Sequence, residues 1–286
     1  MPELPEVEII KKSLKKNVLF KKIDNVLIKN RNLRFKIQRN IKKFLIGKKI
    51  TNITRRSKYL IVHFEQDCFL IFHFGMSGTL HLIRNKNIHQ TNLSFYNSKT
   101  LPKKHNHVEL FFSNFKLIYN DPRRFGYLKF IFSFNELNFF FNNMGPEPLD
   151  SNFNFNYLKK KLKGKKKNIK NLLLDQKFVS GLGNIYVNEI LFYSKINPHL
   201  KGKKIDDFKI KKIIKYSNEV LEKAIKKGGS TIRDFKNSKG EMGLFQNEFK
   251  VYNRENRNCV RKKCSGKIER VIISNRSTFL CKYCQK

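Results

Sequence analysis

The stretch FLIFHFGMSGTLHLI, residues 69–83, sets the fold class. Two short aromatic and β-branched runs flank HFGMSG, 73–78, which reads as a hairpin turn. The same texture extends outward from about Val26 to Phe132, in YLIVHF (59–64), HVELFF (107–112) and KLIYN (116–120), with Gly, Asn and Pro between the runs. It predicts an antiparallel β domain arranged as a sandwich. Cys68 then reads as a buried strand residue.

On the N-terminal side, Val7, Ile10, Leu14 and Val18 recur at spacings of three and four with lysines between them, which predicts one amphipathic helix over 5–20 with Pro5 in its first turn. On the C-terminal side, NNMGPEPLD (142–150) has the punctuation of a linker. NLLLDQ (171–176), NIYVNEILFYS (184–194) and DDFKIKKIIKYSNEVLEKAIKK (206–227) read as helices. From Phe249 the chain returns to strands and cysteines. The expected organisation is a β domain over 1–133, a linker over 134–150, a helical domain over 151–248 and a cysteine-bearing tail over 249–286: an α+β multidomain protein.

The 286 residues carry 61 Lys and Arg against 22 Asp and Glu, a formal net charge of +39. Such a surplus points to a polyanion, and first to nucleic acid, because phosphates binding Lys and Arg release counterions. Lys, Asn, Ile and Phe are enriched together, as AT-rich codons would produce, so the sign of the charge carries more weight than its size. An anionic membrane surface is the weaker reading, since no stretch approaches the roughly 18 apolar residues of a spanning helix. The acids and prolines of the first residues do not resemble a signal peptide, and a reducing cytoplasm is the expected setting.

Cys259, Cys264, Cys281 and Cys284 form C-x4-C, sixteen residues, then C-x2-C. The pattern predicts a closed structural site for one zinc ion holding a β hairpin, with disulfides the alternative. In KFVSGLGNIYVNEILF, Gly181 and Gly183 precede a helix starting near Asn184, a setting for an anion or simply for a tight turn. DPRRFG (121–126) places two arginines and a phenylalanine in a turn that could enter a duplex where a base has left. Met76 reads either as core or as a wedge. His105 and His107 in KKHNHVEL are expected on one side of a strand, able to bind metal or to contact phosphate.

MPELPEVE opens the chain. Glu6 and Glu8 suit a helix start, whose dipole favours acids. Pro2 needs another reason. Once Met1 is removed it offers a secondary amine whose pKa, near the ~7.7–8.0 of α-amino groups, leaves an unprotonated fraction able to attack a sugar C1′. Glu3 stands next to it to exchange protons.

Together MPELPEVE, RRSKYL (55–60), HFGMSG, DPRRFG, GLGNIY (181–186), GGSTIRDF (228–235) and NRSTFLCKYCQK (275–286) resemble, in order and over the whole chain, the bacterial formamidopyrimidine-DNA glycosylases, bifunctional enzymes that remove 8-oxoguanine and ring-opened purines. The resemblance implies an N-terminal β-sandwich flanked by helices, then a helical domain with a helix-two-turn-helix element and a zinc-finger hairpin. It implies Pro2 as Schiff-base nucleophile, Glu3 as proton donor, Lys58 as the lysine of β-elimination and Arg276 as the finger arginine of δ-elimination and phosphate contact. His105, Arg123 and Lys165 match DNA-contacting positions, and Lys170 and Asn184 match residues gripping phosphates at the lesion. Met76, Arg123 and Phe125 match the trio that fills the gap after base flipping. Glu6 and Glu189 match acidic positions near the lesion, and residues 228–245 match the loop covering the flipped base. The partner implied is double-stranded DNA with oxidised purines or abasic sites, and the protein is expected to be a monomer with one structural zinc.

The first zinc pair departs from the family's usual C-x2-C, which bears on where Arg276 sits. An endonuclease VIII-like glycosylase for oxidised pyrimidines is the nearest rival, and its start typically reads PEGPE where this chain has Leu4. A zinc-containing protein that binds damaged DNA without cutting it is the rival from another class. An RNA-binding or ribosomal basic protein would account for charge and cysteines but not for the Pro-Glu start.

Overall fold

A computed structural model of the chain describes residues 2–84, 91–92, 104–230 and 244–286. The chain divides into two compact units, the first made of residues 1–142 and 227–246, the second of 143–226 and 247–286.

The first unit begins with α1 (Leu4–Val18). Glu3 precedes it in an extended conformation, and the Glu6 carboxylate accepts the Glu3 N–H at 2.9 Å, so two acids satisfy the first turn's free donors. Lys15 and Lys16 suit its other end. There follow β1 (Asn25–Ile28), the single turn α2 (Ile41–Leu45), β2 (Ile50–Arg56), β3 (Tyr59–Phe64), β4 (Phe69–His73), β5 (Thr79–Arg84), β6 (Thr91–Asn92), β7 (Asn106–Phe112), β8 (Phe115–Asn120) and β9 (Tyr127–Ile131), then α3 (Phe134–Phe141). All strand pairs are antiparallel, in a five-stranded sheet ordered β1-β7-β8-β5-β6 and a four-stranded sheet ordered β2-β3-β4-β9.

Alternation along β3 and β4 explains why FLIF reads as an unbroken apolar run. Leu60, Val62 and Phe64, with Leu70 and Phe72, face a core shared with Leu80, Leu82, Leu110 and Leu117 of the other sheet and with Val7, Ile10 and Leu14 of α1. Ile61, Phe69 and Ile71 face the opposite way, where Leu137, Phe140 and Phe141 of α3 cover them. A sheet buried on both faces needs apolar residues at every position. Residues 134–141, inside the stretch expected to be a linker, are therefore a helix, capped by Ser133 accepting from the Glu136 N–H and needed to cover that face. The segment 227–246, expected within the helical domain, clusters instead with the first unit.

The second unit contains α4 (Phe155–Leu162), α5 (Ile169–Leu174), α6 (Asn184–Tyr193) and α7 (Asp207–Lys226). Asn154 and Asn168 cap α4 and α5 through their side chains. Residues 185–192 of α6 are all buried, whereas α7 buries one stripe, Ile210, Ile213, Val220, Leu221 and Ala224. The hairpin of β10 (Glu269–Ile273) and β11 (Arg276–Leu280) turns at Ser274 and Asn275, both left-handed with φ of 48° and 58°, as a two-residue turn matching strand twist requires. Phe279 and Ile268 pack with Phe192 of α6 and Val251. Among the described residues no helix is long and apolar enough to cross a membrane.

Candidate nucleic-acid interface and metal centre

In the first unit, Pro2 and Glu3 are buried at the start of α1. Glu6, also buried, is shared between two duties. One oxygen accepts the Glu3 N–H, and the other accepts both the N–H and the hydroxyl of Ser230 at 2.9 Å. Glu6 thus ties the N-terminal residues to the base of the 228–245 segment, whose residues 231–243 lie outside the described residues. Lys58 sits buried in the two-residue turn between β2 and β3, with Ser57 left-handed at φ 57°. Its charge is felt by His73 at the facing end of β4. Burial, then Lys58 and Arg34, lower the His73 pKa to about 4, so this imidazole is neutral at physiological pH.

The HFGMSG and DPRRFG turns interlock. A Cβ on Gly75 would lie 2.3 Å from the Phe125 carbonyl carbon, and one on Gly126 would lie 2.0 Å from the Tyr119 hydroxyl, so only glycine permits this approach. The result brings Met76 and Phe125, 41% and 43% exposed, to the rim of one cleft with Arg123, whose guanidinium lies 4.5 Å from the Phe125 ring centre. Large apolar side chains left in water beside arginines are suited to entering a gap between bases. The cleft is also lined by Asn32, Leu33 and Arg34, a segment that sequence reading missed because it lacks any period; the Arg34 N–H is pinned to the Gly126 carbonyl at 3.2 Å.

The two histidines do not share a face. His105 is exposed and left-handed (φ 69°), just before β7 begins. His107 is buried, with Nε2 2.8 Å from the Asp121 carbonyl oxygen. A register shift between Asn106 and Val108 breaks the alternation on which the paired reading relied.

In the second unit, Lys170, Asn184 and Arg276 meet at the hairpin. The Lys170 ammonium donates to the Thr278 hydroxyl at 2.6 Å and the Ser277 carbonyl at 3.2 Å, and the Asn184 amide donates to the same carbonyl at 2.9 Å. Burial, and then the Arg276 charge, lower the Lys170 pKa to about 8. Asn171 adds a 2.7 Å bond to Ser274 in the turn. Exposed Arg276, first residue of β11, stands beside Ser277 and Thr278, which α5 and α6 hold through Lys170 and Asn184. Lys165 is exposed in the loop between α4 and α5.

Glu189 stands on α6. It is fully buried, and its carboxylate accepts the N–H groups of Lys250, Val251 and Tyr252 at 2.9–3.0 Å. It fastens the approach to the cysteine hairpin, and burial raises its pKa. The four cysteine sulfurs lie within 4.8 Å of one another, with Sγ separations of 3.9 Å for Cys259 and Cys284 and 3.7 Å for Cys264 and Cys281. These are far longer than a disulfide's ~2.05 Å. They match the ~3.8 Å edge of a tetrahedron with ~2.3 Å metal–sulfur bonds, so the cluster fits one tetrahedral metal ion.

The comparisons with known proteins agree with this layout. The model of the formamidopyrimidine-DNA glycosylase N-terminal domain matches residues 1–128, and that of the formamidopyrimidine-DNA glycosylase H2TH domain matches residues 144–236. The formamidopyrimidine-DNA glycosylase of Rickettsia africae is 42% identical over 289 residues, covering all of this chain and 99% of the relative. That of Legionella pneumophila is 39% identical over 287 residues, covering 100% and 98%. Among solved structures, a Lactococcus lactis FPG mutant in complex with a Fapy-dG containing DNA superposes with a TM-score of 0.87 at 34% identity, covering both chains completely. The complex of the Lactococcus lactis enzyme with an abasic site containing DNA gives 0.86 at 34%, with 99% of each chain covered. With both domain models matched in order and relatives aligned end to end, the chain is a member of the formamidopyrimidine-DNA glycosylase family.

Proposed function

We propose that the protein is a base-excision-repair glycosylase that removes oxidised purines, 8-oxoguanine and formamidopyrimidines, from duplex DNA and then nicks the abasic site. The observation that carries this reading is end-to-end similarity to named formamidopyrimidine-DNA glycosylases, in a chain whose Pro2-Glu3 start is intact. After loss of Met1, the Pro2 amine attacks C1′ of the damaged nucleotide, the C1′–N bond breaks and the base leaves with a proton. The iminium on Pro2 then undergoes β- and δ-elimination, leaving a gap with phosphate at both ends. Glu3 exchanges protons at the sugar, Lys58 serves β-elimination, and Arg276 serves δ-elimination. Splitting one displacement into a covalent capture and two eliminations lowers each barrier.

Extrusion of the base is assigned to Met76, Arg123 and Phe125, which enter the space it vacates; a base within a duplex is otherwise out of reach of the amine. Lys170 and Asn184 hold backbone phosphates, with Lys165 and His105 as further DNA contacts. The four cysteines hold zinc, which supplies no open position and serves to fold the hairpin that presents Arg276.

The test is borohydride trapping on a duplex with 8-oxoguanine opposite cytosine, followed by mass mapping. The expected product is a cross-link on Pro2 of a chain lacking Met1. Protein that binds the duplex but yields no cross-link would overturn the covalent mechanism and favour the reading of a non-cutting damage binder.

A further inference from the structure

Asp121 belongs to none of the catalytic or DNA-contacting assignments, yet it is fully buried and bonded on all its polar atoms. One carboxylate oxygen accepts the Ser77 hydroxyl. The other accepts the Gly126 N–H at 2.8 Å and the Tyr119 hydroxyl at 3.3 Å. Its own N–H donates to the His105 carbonyl at 3.1 Å, and its carbonyl receives His107 Nε2 at 2.8 Å and the Arg124 N–H at 3.2 Å. Ser77, on the other turn, accepts the Arg123 N–H at 3.1 Å and so must give its own proton to Asp121.

The contacts form a bridge between two loops. Met76 is held through its neighbour Ser77, Arg123 through its N–H on the same hydroxyl, and Phe125 through the next residue, Gly126. His105, on a third segment, is held by its carbonyl. We propose that Asp121 is a positioning residue that fixes Met76 relative to Arg123 and Phe125, so that the trio enters the helix as one rigid wedge. This rests on the reading of those three residues as the wedge. Its physical basis is that the Ser77, Tyr119 and Gly126 donors around the carboxylate are all neutral, so bond geometry, not charge pairing, is what the buried carboxylate supplies. A wedge ordered before contact does not lose loop entropy when it inserts.

Asp121→Asn tests this because an amide cannot replace the acceptor set. Turned one way, its NH2 opposes the Gly126 N–H; turned the other, it leaves the Ser77 proton without an acceptor. Ser77→Ala removes the bridge from the opposite side without burying an unmatched donor at Asp121. Each full-length variant is compared with wild type in two assays. The first is stopped-flow fluorescence of 2-aminopurine beside 8-oxoguanine in a duplex, which reports base extrusion. The second is cleavage of a single-stranded oligonucleotide with a preformed abasic site, which needs no wedge.

Loss of a charged hydrogen bond at the step predicts extrusion slowed about 10- to 100-fold in Asp121→Asn and by a smaller factor in Ser77→Ala, with single-strand cleavage within about threefold of wild type. The double variant should be no slower than Asp121→Asn within about twofold, because both changes break one bridge. Unchanged extrusion in both single variants, extrusion and single-strand cleavage falling together, or two effects that multiply would each overturn the proposal. Wild-type protein that extrudes the base yet cleaves neither substrate would overturn the proposed chemistry while leaving the Asp121 comparison readable.

Discussion

At Lys170 the chain buries an ammonium beside a second cation, Arg276, and its pKa falls to about 8. A folded-state value below the ordinary 10.5 means that the folded protein releases this proton before the unfolded chain does. Stability should therefore rise between about pH 8 and 10.5, and the burial cost is carried in full below pH 8. If Lys170 contacts a DNA phosphate as proposed, that phosphate favours the charged form. Near pH 8 DNA binding should take up about half a proton per complex, measured as the dependence of calorimetric binding enthalpy on buffer ionisation. Lys170→Arg, which stays charged, should abolish that uptake. Equal uptake in variant and wild type would remove Lys170 from the phosphate site. The burial of Lys170 was not legible in the sequence, where a lysine among 61 Lys and Arg residues has no local mark of being buried; family resemblance marked it only as a candidate phosphate contact. The cysteine cluster was legible from chemistry alone, since four thiols at that spacing have few other reasons to exist.

Among the elements, α1 and α7 follow from periodicity that the sequence displays openly, and the sandwich strands and α6 from apolar runs bounded by turn residues. What periodicity could not reveal was α3: its apolar residues Leu137, Phe140 and Phe141 make sense only against Ile61, Phe69 and Ile71, more than sixty residues away from them in the chain. The His105–His107 pair failed for the related reason that a bulge is a property of two strands together. The bonding of Glu189 was not legible either, because nothing in α6 announces that three backbone N–H groups will converge on its carboxylate. Glu189→Gln should leave at least one of those donors poorly matched, costing about 1.5–3 kcal/mol locally. Amide exchange at residues 250–252 should accelerate about 10- to 100-fold while β3 and β4 stay protected. Unchanged exchange would show that Phe249, Val251 and Tyr252 hold the segment by packing alone.

For the whole molecule, the cysteine cluster and the division into units matter most. Cys259 and Cys281 belong to a small core with Ile268 and Phe279, and a metal ion held by the four cysteines would cross-link that core. A chelator should therefore expose the amides of residues 259–284 to rapid exchange and abolish DNA binding, leaving the sandwich protected. A hairpin that keeps its protection in excess chelator would show that its folding does not depend on metal. The division of the chain also bears on how the protein is made. Because the first unit takes residues 1–142 and then 227–246, a ribosome finishes synthesising it only after the helices of the second unit have emerged. A nascent sandwich lacks Ser230 as a partner for Glu6 through most of translation, and a gene shortened to the sandwich alone would encode that unfinished state permanently.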